Sequence, residues 1–141
     1  MSAGLQPVPF SEENKAKKYP EKLVENLRRI GVDAILATGG NDTIKTAMGL
    51  SEMGFPVVAA PKSIDNDVSG TDTMLGFKTA VTFGATAFRS TVESARTHRR
   101  ISLVEIMGRE AGWLALEIGL AGGADLILIP EKPIDLAGFA K

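Results

Sequence analysis

The chain has 141 residues, 44% hydrophobic and 23% charged, the balance of one folded domain large enough to bury a core. Its 16 Lys and Arg against 17 Asp and Glu leave a net charge of -1, so no bulk field favours nucleic acid or an anionic membrane, and any anion site has to be local. With no cysteine there is neither a disulfide nor a thiolate metal site, no apolar run approaches the roughly 20 residues of a membrane span, and the start "MSAGLQPVPF" lacks the features of a signal peptide; the expectation is a soluble cytoplasmic protein.

In chain order, the first eleven residues, with Pro7 and Pro9, read as an irregular arm. "PEKLVENLRRIG" spaces Leu23, Leu27 and Ile30 at helical intervals between Pro20 and the stop signal Gly31. "DAILATGG" follows as a buried strand with a tight exit, and "NDTIKTAMGLSEMG" as a helix with Ile44, Ala47 and Met48 at helical spacing. "FPVVAA" is a second strand, ending in a loop from Pro61 to about Asp72. The next helix puts Phe77, Val81, Ala85, Phe88, Val92 and Ala95 on one face. "RISLVEIM" predicts a third strand, "REAGWLALEIGLAGG" a helix, "ADLILIP" a fourth strand, and "EKPIDLAGFAK" the start of a further helix. Alternating strands and helices predict an α/β fold over residues 1–141: three layers, a parallel sheet flanked by helices, with binding loops at the carboxyl ends of the strands.

Three of those strand ends carry chemistry. In "TGGNDT" the glycines Gly39 and Gly40 admit close backbone approach, and the helix start offers N–H groups and a positive dipole end to a phosphate. The plainer alternative is a strand-to-helix turn capped by Asn41 or Asp42. In "PKSIDND" the carboxylates Asp65 and Asp67 flank Asn66: one can take a proton from a hydroxyl nucleophile, the other can orient a cation, and Lys62 can meet phosphoryl charge. An Asx-rich turn would place the same residues there for structural reasons alone. Arg109 in "MGRE" follows a strand and precedes a helix, a position suited to clamping an anion. His98, Arg99 and Arg100 end the long helix, where cations complement the dipole whatever the function. Trp113 and the methionines read as core or helix-packing residues.

"TGGNDT", "PKSIDND" and "MGREAG" in this order, with "HRRIS" leading into the last, resemble the phosphofructokinases from about Gly31 to Pro130. The resemblance implies a reaction in which a hydroxyl of fructose 6-phosphate attacks the terminal phosphoryl group of ATP or pyrophosphate, with Mg2+, giving fructose 1,6-bisphosphate. By the same resemblance Asp65 matches the catalytic base, with Ser63 and Asp67 beside it at the transferred phosphoryl and the metal. Met107, Gly108 and Arg109 match sugar-phosphate and transition-state contacts, and Arg100 matches an arginine lent to a neighbouring subunit, so a homo-oligomer is expected. Gly39, Gly40, Asn41, Asp42, Thr43 and Lys62 match the side of the phosphoryl donor. ATP-using members resemble one another in having glycine at the positions of Asp42 and Lys62, and pyrophosphate users an acid and a lysine, so the resemblance favours pyrophosphate.

Two departures accompany it. Asn41 replaces an acidic residue that helps hold the metal, leaving Asn41 and Asp67 as metal candidates of unequal strength. Members are also much longer, with a glycine-rich phosphate loop upstream and further sugar-phosphate contacts downstream. The chain is therefore read as part of such a subunit, inactive when isolated, with a non-catalytic oligomerisation module as the alternative. Another kinase with a "GGDxT"-like loop, such as an NAD or diacylglycerol kinase, offers no counterpart to "PKSIDND" and "MGRE".

Overall fold

The structure, a computed structural model, describes residues 18–134 and 138; the irregular arm and most of the further helix expected at "EKPIDLAGFAK" lie outside the described residues. The chain divides between Lys62 and Ser63 into two compact units, each with its own apolar core.

The first unit holds α1 (Tyr19–Arg29), β1 (Ile35–Gly39), α2 (Asn41–Glu52) and most of β2 (Val57–Ser63). The helix α1 begins with Pro20 in its first turn, where proline's missing N–H costs nothing, and Gly31 follows in a left-handed conformation that favours glycine. Its core contact is Val24, flanked by the half-buried Leu23 and Leu27; Ile30, placed on that face by the sequence spacing, is the C-cap and stands 69% exposed. Val24 packs with Leu50 of α2 and Phe55. Strands β1 and β2 pair in parallel from Ile35↔Val57 to Gly39↔Pro61. Ile35 and Val57 turn towards this core, whereas their neighbours Leu36 and Val58, also paired in register, point to the other side of the sheet and are largely exposed.

In the second unit the chain runs from Ser63 through a loop to the two-residue β3 (Leu75–Gly76), a strand not foreseen in the sequence. Helix α3 (Phe77–Thr97) follows at once and packs along α4 (Trp113–Gly122). The predicted face of α3 is the observed one: Phe77, Val81 and Ala85 are buried, and Phe77 and Val81 pack with Leu114 and Ile118 of α4. Glycines bring the two helices close, since a Cβ at Gly84 would meet Ile118 and one at Gly122 would meet Phe88.

Two expected strands differ. Residues 101–108 and 125–129 are not in a ladder, although exposure alternates along the first of them, with Ile101 and Leu103 exposed between the half-buried Ser102, Val104 and Ile106. The period-2 signal is present, but a strand is defined by a hydrogen-bonded neighbour, and no described segment pairs with either. Trp113, Met48 and Met107 are also not core residues, being 50%, 58% and 75% exposed; among the described residues Met74 is the methionine that is fully buried. No helix among the described residues is long and apolar enough to cross a membrane.

Candidate active site

On the first unit, β1 ends at Gly39 beside Pro61 of β2, so the loop into α2 and Lys62 share one end of the parallel pair. Gly39 is buried, and a Cβ there would collide with the side chain of Thr43; glycine is what lets Thr43 fold back over the strand end. The N-cap of α2 is Gly40, in extended conformation and with no side-chain cap, so neither Asn41 nor Asp42 caps the helix in the way the plainer alternative required. Instead Asp42 lies in the first turn, its carboxylate at the positive end of the helix dipole. Asp42 and Lys62 are exposed, Asn41 and Thr43 half-buried.

On the second unit, Ser63 ends β2 and forms a tight local pair with Asp65. The Ser63 hydroxyl donates to Oδ2 of Asp65 at 3.2 Å and accepts from the Asp65 N–H, also at 3.2 Å. Both residues are half-buried, which limits the water that can compete with this arrangement. Asn66 follows with φ 53°, a left-handed conformation that asparagine tolerates better than most residues, and Asp67 is exposed beyond it. The loop from Asn66 to Thr73 forms one wall of a hollow of about 500 Å3, with Lys78, Trp113 and Glu117 opposite; Lys78 and Glu117 are paired at 2.8 Å.

The "MGRE" residues form a separate turn. The Ala111 N–H donates to the Gly108 carbonyl at 2.9 Å, Arg109 between them has φ 51°, and a Cβ on Gly108 would strike the Ala111 carbonyl oxygen. Met107 and Arg109 are exposed. Among the described residues no hydrogen bond or ion pair links this turn to Ser63 or Asp65. Arg100 is elsewhere again, just past the end of α3, where its N–H donates to Ala95 and its side chain borders an apolar hollow lined by Ile101, Val104 and Leu126. His98 behaves as a helix-end residue, its Nδ1 2.9 Å from the Ser94 carbonyl.

Two residues with local importance were missed in the sequence. Glu131 accepts a 2.7 Å hydrogen bond from the Gly112 N–H at the start of α4, across 19 residues, a separation that gives no local signal. That helix start already holds a carboxylate, whereas the N-cap of α2, Gly40, makes no side-chain cap. Asn66 is the other; its place between two aspartates was visible but its partners were not.

Among the described residues no group of three or more His, Cys, Asp or Glu side chains could hold a metal ion by itself. Magnesium, however, usually takes one or two carboxylates and completes its shell with water and substrate phosphates. Asp67, an exposed carboxylate at the end of the "PKSIDND" loop, is a donor of the kind that this mode of binding uses.

Comparison with known proteins places the chain in a family. The family model described as Phosphofructokinase matches residues 8–141. The chain is 49% identical over 123 residues to a pyrophosphate–fructose 6-phosphate 1-phosphotransferase from Dictyoglomus thermophilum, covering 87% of this chain and 34% of that protein. It is 43% identical over 134 residues to an ATP-dependent 6-phosphofructokinase from Spirochaeta thermophila, covering 94% and 37%. The solved structure of phosphofructokinase from Saccharomyces cerevisiae superposes with a TM-score of 0.76 at 30% identity, covering 92% of this chain and 20% of that one. The chain thus spans about a third of the length of the curated relatives it matches. The order of the three motifs, the parallel β1–β2 pair with flanking helices and the match over nearly the whole chain lead to one conclusion: this chain belongs to the phosphofructokinase family.

Proposed function

We propose that these residues carry part of the active site of a cytoplasmic, oligomeric phosphofructokinase that transfers a phosphoryl group from pyrophosphate to the 1-hydroxyl of fructose 6-phosphate. The observation that carries the reading is the Ser63–Asp65 pair at the end of β2: a half-buried carboxylate held by a neighbouring hydroxyl and by its own backbone turn. A carboxylate fixed in this way presents a defined oxygen to a substrate hydroxyl, as general-base catalysis needs.

In this reading Asp65 takes the proton of the sugar hydroxyl as its oxygen forms the new bond to the terminal phosphorus; the bridging P–O bond breaks and inorganic phosphate leaves. Ser63 keeps the Asp65 carboxylate in one orientation. Arg109, and Arg100 lent to a neighbouring subunit, meet the negative charge of the sugar phosphate and the transferring group, with Met107 and Gly108 shaping the sugar contact. On the donor side Gly39, Gly40 and Thr43 let the start of α2 approach the phosphates, and Lys62 supplies a cation. Asp67 is the carboxylate that would help hold magnesium, which when bound offsets charge on the phosphoryl oxygens; Asn41, on the donor side, offers only a neutral amide oxygen to the ion.

The test is to graft residues 18–134 in place of the matching segment of the Dictyoglomus thermophilum relative and to assay fructose 1,6-bisphosphate formation. Asp65→Ala should lower kcat by about 10²-fold or more while leaving KM nearly unchanged. A graft as active with alanine as with aspartate would overturn the assignment.

A further inference from the structure

We infer that Asn66 is the positioning residue of this loop, fixing the directions in which the Asp65 and Asp67 carboxylates are presented; the inference rests on the phosphoryl-transfer reading above. Asn66 stands between the two acids in a left-handed conformation, with φ 53°. A residue with φ near −60° there would rotate the following peptide and send Asp67 elsewhere. Asparagine tolerates the left-handed region but does not by itself select it.

The selection comes from its side chain. The Asn66 Oδ1 accepts from the Met74 N–H at 2.8 Å, and its Nδ2 reaches the Asp72 carbonyl at 3.5 Å. The first is a bond of good length; the second is at the limit and contributes orientation more than energy. Both ends of the amide are thus engaged with backbone six and eight residues further along the chain. Met74 is 1% exposed and Phe77, one short strand later, 2% exposed. Asn66 therefore ties the acidic loop to the most deeply buried anchor of the second unit, and that anchor continues directly into α3. Ser63 holds Asp65 from the upstream side, and Asn66 holds the chain from the downstream side. Because its polar atoms are turned to the backbone, Asn66 acts through its neighbours and not on the reactants.

The side-chain chemistry also sets the expected order of variants. Alanine loses the acceptor and disfavours the left-handed backbone. Glycine keeps the backbone but loses the acceptor. Aspartate keeps an acceptor for the Met74 N–H and tolerates the same backbone.

Two measurements test this. In the 141-residue chain, amide hydrogen exchange at Met74 should accelerate at least about tenfold in Asn66→Ala and Asn66→Gly and stay slow in Asn66→Asp, while α1 and α2 amides remain as they were. In the grafted enzyme, Asn66→Ala should lower kcat by about 10²-fold with KM for both substrates moving less than about threefold, as expected for a misplaced catalytic group, and Asn66→Gly should lie between alanine and the parent. Unchanged exchange at Met74, or a variant that raises KM and spares kcat, would overturn the inference. An inactive parent graft would instead overturn the phosphoryl-transfer reading, while the exchange experiment would still decide whether Asn66 holds the loop.

Discussion

The proposed preference for pyrophosphate turns on two side chains, Asp42 and Lys62. Asp42 sits in the first turn of α2, where its charge is favoured by the dipole and occupies the same positive helix end that a phosphate would use. An ATP chain carries an additional phosphate, so a carboxylate at this point repels more of it than of pyrophosphate. Lys62, exposed at the end of β2 next to the residue paired with Gly39, adds a cation suited to a compact dianion or trianion. In the grafted enzyme pyrophosphate should therefore give the higher kcat/KM. The double change Asp42→Gly with Lys62→Gly should narrow the ratio by at least about tenfold, because juxtaposed like charges cost several kcal/mol. A parent graft that prefers ATP would show that these two positions do not govern the choice. Asn66 belongs at this scale too: the sequence displays an asparagine between two acids, but only the fold reveals that its amide reaches Met74.

Among the elements, those set by contacts close in sequence were legible in the residues. The face of α3 follows from its 3.6-residue period, and the turn of "TGGNDT" from two glycines. What depends on distant partners was not. Residues 101–108 carry the alternation of a strand, yet a ladder needs a neighbour that no pattern within the segment specifies. Ile30 has helical spacing but falls one residue past the end of α1. Glu131 at the start of α4 is the same lesson in a hydrogen bond. The crowding there is open to test, since a Cβ on Gly112 would meet both Ile129 and Glu131. Gly112→Ala should cost about 1–3 kcal/mol of stability by overpacking, and Glu131→Ala about 1 kcal/mol through loss of the helix-start bond. Because the first change also displaces Glu131, the double variant should cost less than the sum of the two in urea denaturation. Strict additivity would mean that the carboxylate does not hold this helix start.

For the molecule as a whole, the balance of covered and uncovered apolar surface bears on what 141 residues can do alone. Leu36 and Val58, paired in register on one sheet face, are 72% and 67% exposed, and Ile101 and Leu103 on the second unit are 100% and 91% exposed. Apolar surface of this extent, with extended segments outside any ladder, favours association with other copies. The catalytic demand points the same way. Phosphoryl transfer works by positioning donor, acceptor and cation together, and the residues assigned here belong to a chain about a third of the length over which the relatives are built. We therefore expect the isolated chain to form dimers or larger species and to produce no fructose 1,6-bisphosphate above background from either pyrophosphate or ATP, whereas the grafted segment turns over. Light scattering and a coupled assay on the same purified sample check both halves. A monodisperse monomer would show that the exposed faces are tolerated in water, and robust turnover by it would show that Ser63, Asp65 and their neighbours suffice without the remaining two-thirds of a phosphofructokinase.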